Sequence, residues 1–305
     1  MFNLKRVIPV AVLLAGWLTA QTSLAFELDL HGSLGEGGHT TYVPPVSNPL
    51  FNESPYITTE LRPMWLRQGV PSMVAGLPVD GTINVLALQA RVALNDRLAI
   101  IATKDGYADL DFDATLTDDD GFANIALGFK YALLNRPADE AIVTFGLQYE
   151  APSGNLIENT TGTRLQGGRS DGYFNMFLSG SKRIGDWGLQ ANVGLNQAVD
   201  TDVNTSMFHS AFHTDLELVS GFFPFLEWNV FAVVDDATRT AALPVEGTDL
   251  VNLGSTAAGT VATVAGGFRY QLMDHVMVGW AYEVPMTARK DLFDWRSTLD
   301  FVVYY

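Results

Sequence analysis

Twelve stretches of this chain alternate apolar residues with polar or small ones at a period of two. They lie near 56–67, 82–94, 97–107, 122–132, 141–150, 173–182, 187–196, 208–219, 223–234, 260–270, 275–284 and 295–305. That period belongs to an extended strand with two unlike faces. Many of the runs reach nine to eleven residues, whereas strands of water-soluble domains are usually about five or six and a tilted membrane strand needs about ten. The apolar faces are complete in the clearest cases: Leu86, Leu88, Ala90, Val92 and Leu94; Ile125, Leu127, Phe129 and Tyr131; Val276, Val278, Trp280, Tyr282 and Val284. The last strand, Ser297 to Tyr305, sets Leu299, Phe301, Val303 and Tyr305 against Thr298, Asp300, Val302 and Tyr304. As a free edge it would invite aggregation; as the closing strand of a barrel its edge is paired.

The segments predict an all-β fold, a transmembrane antiparallel β-barrel of about 12 strands over residues 56–305. Longer and shorter connections alternate, from 68–81 against Asn95-Asp96 to 151–172 against 183–186. Short periplasmic turns and long outer loops would look like this, with both termini periplasmic. Tyr131, Tyr149, Trp187, Tyr270, Tyr282 and Tyr305 fall near strand ends, at the level of aromatic girdles.

Residues 1–25 read as a signal peptide: Lys5 and Arg6, an apolar run from Val7 to Leu18, and Ser23-Leu24-Ala25 as a small-x-small cleavage site. No later run offers 18 continuous apolar residues, which excludes spanning helices. Residues 26–55 carry Gly32, Gly35, Gly37 and Gly38, then Pro44, Pro45 and Pro49; they read as a periplasmic lead-in or a lumen plug. Cysteine is absent, so no disulfide staples the exported chain. A net charge of −16 disfavours nucleic acid as a partner. Much of the acidity sits in expected outer loops, at Asp109, Asp111, Asp113 and Asp118 to Asp120. Solvation accounts for it; bridging to lipopolysaccharide through divalent ions, or a cation-attracting mouth, are the functional alternatives.

Polar side chains fall on the face opposite the apolar one, which makes them candidates for the lumen lining: Arg62, Arg91, Lys130, Glu150, His209, His213, Asp215, Glu217, Glu227, Arg269 and Glu283. Confinement to one face follows from the cost of a charge in hydrocarbon, roughly 2–4 kcal/mol for a basic side chain at mid-membrane, whatever the protein does. Packing of the lumen by ion pairs is the plain alternative to a pore lining that sets what passes. His209, His213, Asp215 and Glu217 share one strand, where side chains two apart are separated by roughly 6.5 Å, too far to converge on one metal ion. No metal or cofactor is expected. Twelve-stranded outer-membrane phospholipases pair His-x-Ser on a lipid-facing strand; here the pattern occurs at His31-Gly32-Ser33, ahead of the strands, and neither G-x-S-x-G nor H-E-x-x-H occurs. An enzyme is not expected.

Two stretches carry a resemblance. One is Ala87-Leu88-Gln89-Ala90-Arg91 through Asn95-Asp96-Arg97-Leu98; the other is Gly121-Phe122-Ala123-Asn124 through Gly128-Phe129-Lys130-Tyr131, followed by Pro152-Ser153-Gly154. Their succession resembles the outer-membrane barrel family of the meta-pathway phenol-degradation channel proteins. The resemblance implies an outer-membrane channel for small solutes, hydrophobic or aromatic compounds among them, and assigns no single residue a role. The expected setting is the outer membrane of a Gram-negative-type bacterium, with its lipids and lipopolysaccharide as partners and a monomeric barrel. The competing reading is a structural or adhesion barrel with an occluded lumen; a lipid-acting enzyme ranks third.

Overall fold

The computed structural model describes residues 28–155, 171–237, 245–251 and 259–305. The expected signal peptide lies outside them. Twelve antiparallel strands close into a barrel. They are β1 (Glu60–Gly69), β2 (Gly81–Ala93), β3 (Leu98–Lys104 and Tyr107–Phe112), β4 (Asp119–Phe122 and Ile125–Arg136), β5 (Ala141–Ala151), β6 (Tyr173–Ile184), β7 (Trp187–Ala198), β8 (Ser206–Leu216), β9 (Phe222–Asp235), β10 (Thr260–Met273), β11 (Val276–Pro285) and β12 (Trp295–Tyr304). Each pairs with its neighbour in the chain, and β12 closes on β1 through Glu60 opposite Tyr304 and Gly69 opposite Trp295. The wall therefore has no free edge, which is what removes the aggregation hazard of the last strand.

The alternation has the sense that the sequence predicts. Leu61, Trp65, Leu86, Leu88, Leu127, Phe129, Trp280, Phe301 and Val303 are exposed on the outside. Arg62, Gln89, Arg91, Lys130, His213, Glu227, Arg269 and Asp300 are buried within. An apolar exterior with a charged interior inverts the usual arrangement, and hydrocarbon is the solvent that makes it stable. No described helix is long and apolar enough to cross a membrane; the crossing elements are strands.

Several details depart from the expected segments, and the largest is that the loop expected at 108–121 is mostly paired strand, with Asp109 opposite Asp120. Residues 56–59 do not belong to β1, because Ser33 holds Ile57 through two hydrogen bonds, of 3.0 and 3.2 Å, and draws this stretch into the interior. The eighth segment ends at Leu216, three residues before the boundary expected at 219. The third and fourth segments are interrupted: β3 breaks at Asp105-Gly106 and β4 at Ala123-Asn124. In β3 the stretch from Leu98 is apolar on both faces, so no pattern in the sequence announces that break.

Ahead of β1, residues 28–59 pass inside the wall as a strap with one 3-10 turn, Gly32–Leu34. Tyr42, Val43, Val46, Phe51, Tyr56 and Ile57 are all buried there. The strap enters at the end of the barrel that carries both ends of the wall. Thr40 donates to the Glu140 carboxylate, whose other oxygen meets His39 Nδ1 at 3.3 Å. Burial alone would raise the Glu140 carboxyl, but its bonds from Thr40 and His39 outweigh that and hold it below the ordinary carboxylate range.

Candidate functional site

The strap is held by side chains that the wall points inward. Its prolines supply carbonyls but no N–H groups, so a regular ladder cannot form along it. Arg62 Nη2 donates to Pro45 O at 2.7 Å, Arg269 Nε to Pro44 O at 3.1 Å and Gln89 Nε2 to Pro49 O at 2.8 Å. Gln190 takes Val43 O, and Thr144 takes Pro55 O, each at 2.5 Å. In the other direction the Glu227 carboxylate accepts Val46 N at 2.9 Å and Ser47 N at 2.7 Å. Glu53 is the strap's own charged anchor, at 2.5 Å from Arg91 Nη2 and 2.8 Å from Lys130 Nζ.

The residues singled out from sequence fall into groups. Arg62 and Arg269 share Asp300. Arg91 meets Glu60 as well as Glu53. His213 lies between Glu227, at 2.7 Å, and Asp215, at 3.3 Å, with Arg183 2.9 Å from Asp215. Glu283 accepts from Asn229 at 2.8 Å and faces Arg296 at 3.7 Å. Glu150 pairs with Lys104 at 2.7 Å. His209 stands apart, bonded to Asn175 at 2.9 Å and stacked on the Phe51 ring at 4.5 Å. Glu217 is not on the wall: β8 has ended, and its carboxylate accepts Gly221 N at 3.3 Å within the turn to β9. Among the described residues no group of three or more metal-ligating side chains could hold an ion. His31 stacks on Tyr305 at 4.6 Å, while Ser33 Oγ is bound to the Ile57 backbone.

Sequence reasoning missed Glu53, Asp249 and Arg296. Arg296 sits in register with Thr298 and Asp300, so the alternation of β12 could have placed it inside; its guanidinium meets Asp249 at 2.6 Å. Glu53 left no signal, since nothing periodic marks the strap.

The second feature is the interruption of the wall. β2 pairs with the first part of β3 through Ala90–Ala93 and with the second part through Gly81–Leu86. Between them Leu88 N turns to the Asp105 carboxylate, 3.0 Å away, in place of a backbone partner. Gly106 adopts φ +124, and a Cβ there would stand 2.7 Å from Leu86 O; the kink needs a glycine. Ala123 N reaches Gly106 O at 2.8 Å across the break. Beyond it Asn124 donates to Glu150 at 2.8 Å and accepts Gly154 N at 3.0 Å, which braces the frame from inside.

Hollows lie on both sides of this break. On the outer surface is a groove of about 680 Å³ lined by Pro63, Leu86, Leu88, Tyr107, Phe122 and Ile125. Within the wall is an apolar hollow of about 40 Å³ bounded by Leu66, Ile83, Val85, Leu110 and Val251, with Pro49, Leu50, Gln89 and Lys104 also against it. The two share Met64, Ala87, Asp105 and Ala123 as lining. Toward the end of the barrel away from the chain ends the hollow joins an apolar cluster that includes Val70, Phe112, Leu116 and Leu292.

No family model matches the chain. No curated protein matches it either. Solved structures do. The COG4313 outer membrane channel from Pseudomonas putida F1 is similar with a TM-score of 0.62 and 11% identity, over 87% of this chain and 100% of that one. The translocator domain of the autotransporter NalP from Neisseria meningitidis gives 0.52 and 10%, over 85% and 92%. The beta domain of the Bordetella autotransporter Brka gives 0.50 and 13%, over 81% and 100%. At these identities the likeness is one of fold, shared by a channel and by translocator domains alike.

Proposed function

We propose that this chain is an outer-membrane conduit for small apolar solutes, which enter from the lipid side through the interrupted sector of β2 to β4. One observation carries the reading: the apolar groove outside and the apolar hollow inside meet at Met64, Ala87, Asp105 and Ala123. Along the axis the strap lies within the wall and is tied to it from Val43 to Pro55. An apolar molecule that has partitioned into the outer leaflet reaches this groove without crossing the charged headgroup layer again. The terminus-bearing end is read as periplasmic, with the longer loops outside. Aromatic hydrocarbons and phenols are the substrates that the channel resemblance suggests, and a monomer suffices, because the groove is built from one chain.

The second reading, a non-transport barrel with an occluded lumen, is favoured by the small volume of the inner hollow and by the number of buried pairs on the strap. Uptake separates the two. Intact Gram-negative cells producing the protein should accumulate an apolar fluorescent aromatic faster than cells without it, while a polar sugar of similar size should gain nothing. Equal dye entry with and without the protein would reject the conduit in favour of the structural barrel.

A further inference from the structure

Asp105 is the feature of the groove that an entirely apolar solute would not require. It lines both the outer groove and the inner hollow, at the point where they meet. One of its oxygens accepts Leu88 N at 3.0 Å. Among the described residues no cation pairs with it: its neighbour Lys104 is committed to Glu150 at 2.7 Å. Lys104 and Glu150 cancel, so the threshold carries one negative charge among Pro63, Met64, Leu86 and Phe122. Farther along the same two strands, the exposed Asp109 lies opposite Asp120 on the outer surface, with Asp111 exposed two residues on. Both the local charge and the field above it favour a positive group and oppose a negative one.

We propose that Asp105 is a specificity-determining residue that selects solutes with an apolar body and a single cationic, hydrogen-bond-donating head, an alkyl amine being the simplest, and turns away carboxylate anions of the same body. The inference rests on lateral entry as read above and names the substrate class for that entrance. The ammonium would pair with the free carboxylate oxygen in a site of low dielectric, where a charge-assisted bond is strongest. The chain would extend along Leu86, Leu88 and Ile125 before passing Met64.

The test is native mass spectrometry of the purified barrel titrated with dodecylamine, dodecanol and dodecanoate, with the heat-dependent gel mobility of each variant as the check on folding. Asp105→Asn keeps an acceptor for Leu88 N, so the kink should survive. The wild type should bind dodecylamine roughly tenfold more tightly than dodecanoate. Asp105→Asn should bring the two within about twofold, and Asp96→Asn, an exposed carboxylate in the turn between β2 and β3, should leave the preference in place. Equal binding of the three compounds by the wild type, or a preference that persists in Asp105→Asn, would overturn the assignment to Asp105 while leaving lateral entry standing. Failure of all three to bind a folded wild type would overturn both.

Discussion

From β5 round to β12 and β1, the wall is a ladder interrupted by single-residue shifts such as those at Ser206/Met207 and Gln271/Met273 and by a short gap at Arg62-Pro63. From β2 to β4 it is broken in two adjacent strands at the same height. The interior differs in step. Behind the continuous sector lie Gln190, Glu227 and Arg269, polar groups that hold the strap, with His213 bonded to Glu227. Behind the interrupted one the strap is held by Gln89, Arg91 and Lys130 on the side of the break toward the chain ends, while beyond the break Ile83, Val85, Ala108 and Leu110 line an apolar hollow. Open backbone at membrane depth is tolerated only where protein or a cavity covers it, and here side chains do the covering: Asp105 for Leu88 N, Ser153 for Ile125 N and Asn155 for Phe122 N. The difference teaches that one barrel can close one sector by its backbone ladder and another by side chains that cover a break.

The comparison can be pressed first at the strap. Glu53→Gln leaves Arg91 and Lys130 facing a neutral group in a buried site, a loss of about 3–5 kcal/mol when one partner of such a network is removed. Planar-bilayer recordings should show ion conductance rising as the strap loosens. A variant that stays silent would mean that the backbone contacts alone hold the strap.

A smaller effect is expected in the wall. Gly106→Ala should destabilise the barrel by about 1–3 kcal/mol, the usual strain of a side chain in such a backbone region. Gly180→Ala in the continuous sector, where a Cβ meets its nearest atoms at 3.6 Å, should shift stability by less than about 0.5 kcal/mol. Urea unfolding in detergent micelles measures both, and equal losses would erase the contrast between the sectors.

How far the sequence carried this picture can be argued from particular strands. Leu86 to Leu94 and Thr298 to Tyr304 announce their faces, because a charge on the lipid side is costly and the period of two is therefore strict. That same strictness sorted Arg62, Arg91, Lys130, His213 and Arg269 to the interior without structural help. It could not pair them. Arg91 and Lys130 share Glu53, which lies in a proline-rich stretch with no period to read, and the contact spans 77 residues between Glu53 and Lys130. The break in β3 was equally hidden. Leu98 to Tyr107 is apolar on both faces, and only Asp105-Gly106 marks the kink. Glu217 went astray for a local reason: the alternation continues through it, but the chain has already turned toward Gly221.

The smallest effect should appear where the strap enters. Glu140 has a folded-state pKa below its unfolded value, so the stability that it gives is present above the unfolded pKa and is lost as pH falls through the folded one. The hydrogen-exchange protection factors of Thr40 and its neighbours, corrected for the intrinsic rate, should therefore fall at acidic pH, and Glu140→Gln should remove that pH dependence. Unchanged protection across that window would show that His39 and Asn135, bonded at 2.9 Å, anchor the entrance without the carboxylate.

The central claim is that solutes cross the wall sideways through the interrupted sector. It is tested most directly by matched tryptophan substitutions, Ala123→Trp at the shared lining of groove and hollow and Ala191→Trp on the outer face of β7. Cell accumulation of the apolar dye should fall roughly tenfold in the first, since an indole fills the meeting point of the two hollows, and stay at the wild-type rate in the second. Undiminished dye entry in a folded Ala123→Trp barrel would contradict the account.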